Sequence, residues 1–164
     1  MIEIAHDADS NTALLGGQPL VFHCHFYNCA LQEAIEAGLG EDAGDVQRAA
    51  AQEAVRLSLA ELGGPGAEVL GRASALFRQL GFGTLDLAGV GPRGGLAYSP
   101  SSHYAMGWVA TRGTRPTPAC AFVEGFVAAA VIVAHGLTPE RVRVREAECF
   151  ACGAERCAFR VEVR

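Results

Sequence analysis

Between Glu146 and Cys157 the chain packs Glu146, Glu148, Cys149, Cys152, Glu155 and Cys157 around a single glycine, Gly153. Thiolate and carboxylate are both ligands for Zn²⁺, and a glycine lets the chain reverse between them. A hairpin held by apolar packing alone has no need of that donor set, so the run points to a metal-bound turn. The flanks agree. Residues 141–146 and 157–163 each alternate apolar with polar, the period of half-buried strands that would pair across the turn. A tetrahedral site needs four ligands, and the turn offers Glu146, Cys149, Cys152 and Cys157, with Cys120 a distant fifth. The competing reading is a pair of buried structural thiols with an incidental exposed Cys152, because free cysteine often serves as a small buried hydrophobe.

The remaining pattern places this turn at the end of an α+β domain. Residues 19–38, 45–62 and 66–80 read as helices, the first with Pro19 in its opening turn and Gly38 and Gly40 ending it. Residues 84–87 and 96–98 read as a hairpin around the glycine-rich stretch 89–95. That stretch lacks the helix and lysine of a phosphate loop, so it is expected to be a plain turn or a lid. Residues 103–111 are expected to form another strand. Pro118 opens an apolar helix that Gly136 and Pro139 stop. The expected architecture is an antiparallel sheet of four to five strands covered by helices, with a zinc-bound C-terminal hairpin, in a single domain spanning residues 1–164.

Composition narrows the function. Half of the 164 residues are apolar, 19% are charged and the net charge is −5, which does not match a nucleic-acid footprint. All 13 basic residues are arginine, so lysine Schiff-base chemistry is excluded in this chain. Residues 1–11 carry no apolar signal region, and the longest apolar run, 119–134, is short of the ~20 residues of a spanning helix. A cytoplasmic location is expected, where clustered cysteines favour metal or redox roles over disulfides.

A second cluster, Phe22-His23-Cys24-His25-Phe26-Tyr27-Asn28-Cys29, holds two histidines and two cysteines within a few residues. On a helix His25 and Cys29 share a face while Cys24 lies on another. Phe22 and Phe26 flank His25, so that face is expected to point inward. His23, His25, Phe26 and Cys29 are candidate ligand-binding residues, for a small molecule, a haem-like group or a second metal. The plainer alternative is a core helix whose histidine is satisfied by a carbonyl. His103, Tyr104 and Trp108 are further pocket candidates. Glu124, the only charge in the apolar helix, must be paired or protonated if buried, and it is expected beside the metal, on an arginine or facing the pocket.

The spacing Glu146-x-x-Cys149-x-x-x-Gly153-x-x-x-Cys157-x-Phe159 resembles the C-terminal signature of the 4-vinyl reductase domain family. These are small-molecule-binding domains related to the TRAPP and haem–nitric-oxide-binding folds, found alone and as sensory modules of activators that respond to phenols and xylenes. The resemblance implies an upstream ligand on a helix with a Pro-x-Cys start, here Pro118-Ala119-Cys120, and so a zinc set of Cys120, Glu146, Cys149 and Cys157. The chain departs from the pattern at Phe126, at Ala129 and at the extra Cys152, which could displace Glu146 or act as a redox thiol.

The expected function is a stand-alone, dimeric sensor or binding domain for a hydrophobic or aromatic ligand, with a structural zinc and a separate output protein. It is expected to engage neither nucleic acid nor membrane, and nothing in the chain identifies a catalytic residue. Two alternatives stand beside it. One is an enzyme or accessory protein in tetrapyrrole or metal-cofactor chemistry, using His23, Cys24, His25 and Cys29. The other is a zinc–thiol redox switch built on Cys149 and Cys152.

Overall fold

Residues 121–135 form a helix that is apolar on all sides, and such a helix is stable only when other elements surround it. The computed structural model, which describes residues 3–15, 17–21, 24–64 and 66–164, shows what surrounds it. An antiparallel meander, β1 (Ile4–Asp7), β2 (Thr12–Leu15) and β3 (Gln18–Leu20), precedes three helices, α1 (His25–Leu39), α2 (Ala43–Leu62) and α3 (Gly66–Gln79). Then follow β4 (Val90–Gly91), β5 (Gly94–Ser99), α4 (His103–Arg112), α5 (Ala121–His135), β6 (Val142–Glu148) and β7 (Cys157–Val163). The last four strands make one antiparallel sheet in the order β4-β5-β7-β6.

Helix α5 lies between that sheet and the pair α2 and α3. Val123, Phe126, Val127 and Val131 are fully buried, each contributing about 1.5–3 kcal/mol of apolar transfer free energy. The closest approach is at Gly125. A Cβ there would sit 2.3 Å from the Arg48 carbonyl oxygen and 2.9 Å from the Ala51 side chain, so the α2 backbone rests directly on α5. On the other side, alternation along β6 turns Val142, Val144 and Glu146 toward α5, and Cys157, Phe159 and Val161 of β7 face the same way. One residue, Ala147, is extra where β6 pairs with β7, and this bulge ends the ladder just after Glu146.

Three sequence expectations need correction. Residues 103–111 form α4 rather than a strand. Tyr104 and Trp108 are spaced i, i+4, and burial of Ala105 and Gly107 on one face outweighs the β-propensity of the aromatic residues. The first helix begins at His25, with Cys24 as its N-cap, instead of at residue 19; Pro19 sits in β3 opposite Leu14. Pro19 lies in the last-paired strand of that meander, where a missing N–H costs little. Residues 84–87 contribute only a bridge, Asp86 to Tyr98, beside the main sheet. Phe22 and His23 lie outside the described residues. Among the described residues no helix is long and apolar enough to cross a membrane.

The Gly125 contact gives a paired stability test. Gly125→Ala should cost about 2–3 kcal/mol by forcing α2 off α5, a fall in melting temperature of about 5–10 °C. Gly38→Ala, on an open helical site with nothing within 4 Å, should be neutral or stabilising by up to about 1 kcal/mol. Thermal unfolding followed by circular dichroism separates the two.

Candidate metal cluster and adjoining cavity

Four points of the chain meet at the start of α5. Cys120 caps that helix, Glu146 ends the inward face of β6, Cys149 precedes the 3-10 turn Phe150–Cys152, and Cys157 opens β7. Their ligand atoms all lie within 4.8 Å of one another. Cys120 Sγ and Cys157 Sγ are 3.7 Å apart, far beyond a disulfide bond but close to the ~3.8 Å edge of a tetrahedron with ~2.3 Å metal–sulfur bonds. Cys152, counted among the possible ligands from sequence, is exposed and lies outside this group.

The protonation pattern fits a site for a cation. Burial holds the Cys120 thiol well above its usual range. Cys157 is drawn down by Cys120 but driven up more strongly by Cys149 and burial together. The one thiolate falls on Cys149, which is lowered by hydrogen bonds from Cys120 and Cys157 and by the Ala119 N–H at 3.4 Å. Burial, then the Cys149 charge, pushes Glu146 up to about 8. One of its oxygens, Oε2, accepts from the Cys120 N–H at 2.9 Å, while Oε1 is buried without a hydrogen-bond partner. A buried acceptor without a donor is a costly arrangement that a bound cation would remove. Three sulfurs and a carboxylate, crowded and mostly protonated, can therefore hold a divalent metal.

Glu124 anchors this cluster. It accepts from the Glu146 backbone N–H at 2.5 Å through one oxygen and from Arg48 of α2 at 2.6 Å through the other, with Arg145 at 3.7 Å. The expected arginine partner and the expected place beside the cluster both hold, and Glu124 does not line the cavity.

That cavity, of about 400 Å³, opens between α1, α2 and the segment around Phe82. Phe82, Tyr104 and Phe122 stack along one wall, with ring centroids 4.8 Å apart for Tyr104–Phe122 and 5.9 Å for Phe82–Tyr104. Burial pushes the Tyr104 phenol up, so it stays protonated. Asn28, Leu31, Gln32 and Ile35 of α1 line the opposite side. Gln32 is buried and donates to the Ala119 carbonyl at 2.9 Å, so the cavity wall is tied to the peptides that hold Cys149 and Glu146.

Of the pocket candidates read from sequence, Tyr104 lines the cavity. His25, Cys29 and His103 gather beside it, with Cys29 Sγ 3.8 Å from His25 Nδ1 and the histidine ring centroids 5.3 Å apart. Burial raises the Cys29 thiol, and burial followed by the neighbouring His25 lowers His103. Phe26, expected to face inward, is 74% exposed, because burying His25 and Cys29 on one face turns residue 26 about 100° away. Trp108 lies under the Arg112 and Arg115 guanidinium groups, 5.4 and 4.2 Å from its ring, outside the cavity lining. His23 lies outside the described residues. The α1 lining is absent from the sequence expectations although its 28, 31, 32, 35 spacing is a helical stripe. Phe82 and Phe122 carry no local signal.

An antiparallel sheet backed by helices, with a cysteine–glutamate cluster pinning its last hairpin to a buried helix, defines an α+β domain of metal-clamped type. Residues 108–163 match the vinyl-4-reductase (V-4-R) domain, and this part of the chain belongs to that family, in agreement with the 4-vinyl reductase resemblance. No curated protein matches the sequence. Among solved structures, the chain is similar to the phenol-responsive sensory domain of the transcription activator PoxR with phenol. The TM-score is 0.81 at 17% identity, over 98% of this chain and 84% of that one. It is also similar to a vinyl-4-reductase family protein from Methanocaldococcus jannaschii, with a TM-score of 0.53 at 15% identity, over 85% and 78% of the two chains. At these identities the likeness establishes the fold.

Replacing Glu124 by Gln keeps its size but removes the charge that faces Arg48. The loss should be on the order of 2 kcal/mol, as for a buried pair with one partly exposed partner. Urea unfolding at pH 7 measures it, with Glu53→Gln, in an exposed pair, as the near-neutral control.

Proposed function

We propose that the protein is a sensor or binding domain for a small aromatic molecule, stabilised by a structural zinc. The observation that carries this reading is the wall of stacked Phe82, Tyr104 and Phe122 on an apolar cavity of about 400 Å³, within the size of small-molecule sites. Val21, Leu31 and Val46 also line it and are 73%, 43% and 47% exposed, an apolar mouth that a bound ring would partly cover. The protonated Tyr104 hydroxyl, with Asn28 and Gln47, supplies polar groups for a single phenolic oxygen. PoxR's matching domain is described as phenol-responsive, which supports the same ligand class here.

Zinc is the metal the cluster suits best. Thiolate-rich, four-coordinate sites are its usual structural form, and a complete Cys₃Glu set leaves no position for hydrolytic chemistry. Cys120, Glu146, Cys149 and Cys157 would hold the ion. Its contribution would be to join α5, β6 and β7 and to add its binding free energy to folding. A homodimer that signals through a separate output protein completes the reading.

Two measurements test it. Titrating Zn²⁺ into metal-free protein by calorimetry, in buffers of different ionisation enthalpy, should release about three protons at pH 7, from Cys120, Cys157 and Glu146. The number should fall toward about two well above pH 8, where Glu146 is already ionised. Cys149→Ser retaining full zinc at this site would refute the assignment. For the ligand, phenol or a cresol at about 100 times its dissociation constant should add about 2.7 kcal/mol, raising the melting temperature by about 5–10 °C. Tyr104→Ala should abolish the shift while leaving zinc content unchanged. If neither phenols nor single-ring hydrocarbons shift the transition up to their solubility limits, the aromatic-sensor reading fails.

A further inference from the structure

The Cys₃Glu cluster uses none of the donors at the start of α1, yet those donors converge. We infer that His25, Cys29 and His103 form a second metal centre, a His₂Cys site for a borderline or soft transition ion such as zinc, with a fourth position open to an exogenous ligand. Their ligand atoms lie within 4.8 Å of one another, on two different helices. His25 and Cys29 are one turn apart on α1, and Sγ already sits 3.8 Å from Nδ1 and 4.0 Å from Nε2. His103, the first residue of α4, completes the group with its ring at 89° to that of His25.

Two features of the fold make this more than proximity. The first is Gly107, one turn after His103. A Cβ there would lie 2.8 Å from His25 Cε1, 3.2 Å from Nδ1 and 3.3 Å from Cys29 Sγ, so the two helices approach this closely only because residue 107 has no side chain. The second is His103 Nε2, which is buried and has no hydrogen-bond partner. Buried imidazole nitrogens are ordinarily satisfied, and a metal ion is one of the few partners that three inward-facing donors of this kind share.

The donor chemistry selects the ion. One thiolate and two imidazoles, with no carboxylate in the group, suit zinc or copper and disfavour magnesium and calcium, which require oxygen. Three protein ligands leave a tetrahedral ion one position short, the arrangement of sites that bind a water or a small molecule. Asn28, one residue before Cys29, and Tyr104, one after His103, both line the aromatic cavity, so the centre borders the proposed ligand site without sharing a residue with it or with the Cys₃Glu cluster.

The test is metal content. Full-length protein is reconstituted with Zn²⁺, freed of unbound ion by gel filtration and analysed by mass spectrometry, beside His25→Ala, Cys29→Ala and Cys149→Ser. The expected result is about two zinc per chain in the wild type and about one in each α1 variant, with their thermal transitions still cooperative. Co²⁺ substitution of the wild type gives a second readout independent of any variant. The two equivalents should show different visible bands, one for a three-thiolate set and one for a single thiolate with two imidazoles. Equal zinc in the wild type and both α1 variants overturns the inference, as does a single Co²⁺ species of three-thiolate type. One zinc that persists in Cys149→Ser and is lost in His25→Ala supports this centre and removes the Cys₃Glu assignment instead. No zinc in any protein removes both.

Discussion

Three sulfurs and a carboxylate are held together at the first turn of α5, and the placement of that helix follows from how the structure tolerates them. Unneutralised, the four groups repel, so protons are retained on Cys120, Cys157 and Glu146. The backbone contributes the rest. The N–H groups of Ala119 and Cys120 point at Cys149 and Glu146, and the Phe150 N–H points at Cys157 at 3.4 Å. The first two of these donors sit at the amino end of α5, where the helix dipole also favours negative charge. The hairpin β6–β7 is thus fixed to α5 by polar geometry, and apolar packing of Val144, Phe159 and Val161 along the same face then fills the space behind it.

On its other side α5 is held by shape. Gly125 lets the α2 backbone sit on it, and Arg48, from the same turn of α2, reaches Glu124. Glu124 in turn fixes the Glu146 N–H. A single carboxylate therefore relates α2, α5 and β6, and the cluster and the cavity share one framework. Aromatic contacts run the same route, from Phe77–Phe126 in the core at 5.1 Å through Phe122 to Tyr104 at the cavity. These pairs add about 0.5–1.5 kcal/mol each beyond area burial, so the cavity wall is rigid where it meets the core.

The parts of this arrangement legible in the sequence are those with a local period. Alternation in β6 and β7 puts Glu146 and Cys157 on an inward face, and the unbroken apolar run marks α5 as buried. Cys120 enters the set only through family resemblance, because nothing local connects residue 120 to residue 146. The Glu124–Arg48 pair is 76 residues apart in the chain and is equally invisible locally. Helix α4 reads as a strand because Tyr104, Trp108 and Val109 favour strands on propensity, which masks their helical spacing. The cavity escapes for a different reason. Its walls come from α1, α2, α4 and α5, and a concave space between elements has no signature in any one of them.

Helix α4 shows why the cavity and the two clusters behave as one region. Its start places three consecutive residues in three environments. Ser102 Oγ lies 3.2 Å from Cys120 Sγ, His103 joins His25 and Cys29, and Tyr104 faces the cavity. The His103 N–H donates to the Phe82 carbonyl at 2.9 Å, which holds this turn against the opposite aromatic residue of the cavity wall. A close-packed turn pinned on both sides moves as a unit or not at all. Anything that displaces Tyr104 must therefore strain the Ser102 contact with the Cys120 sulfur or the contacts of His103, and the cost falls on groups that set the geometry of the clusters. In this fold, filling the cavity and ordering the polar clusters are mechanically the same problem, and the first turn of α4 is where they meet.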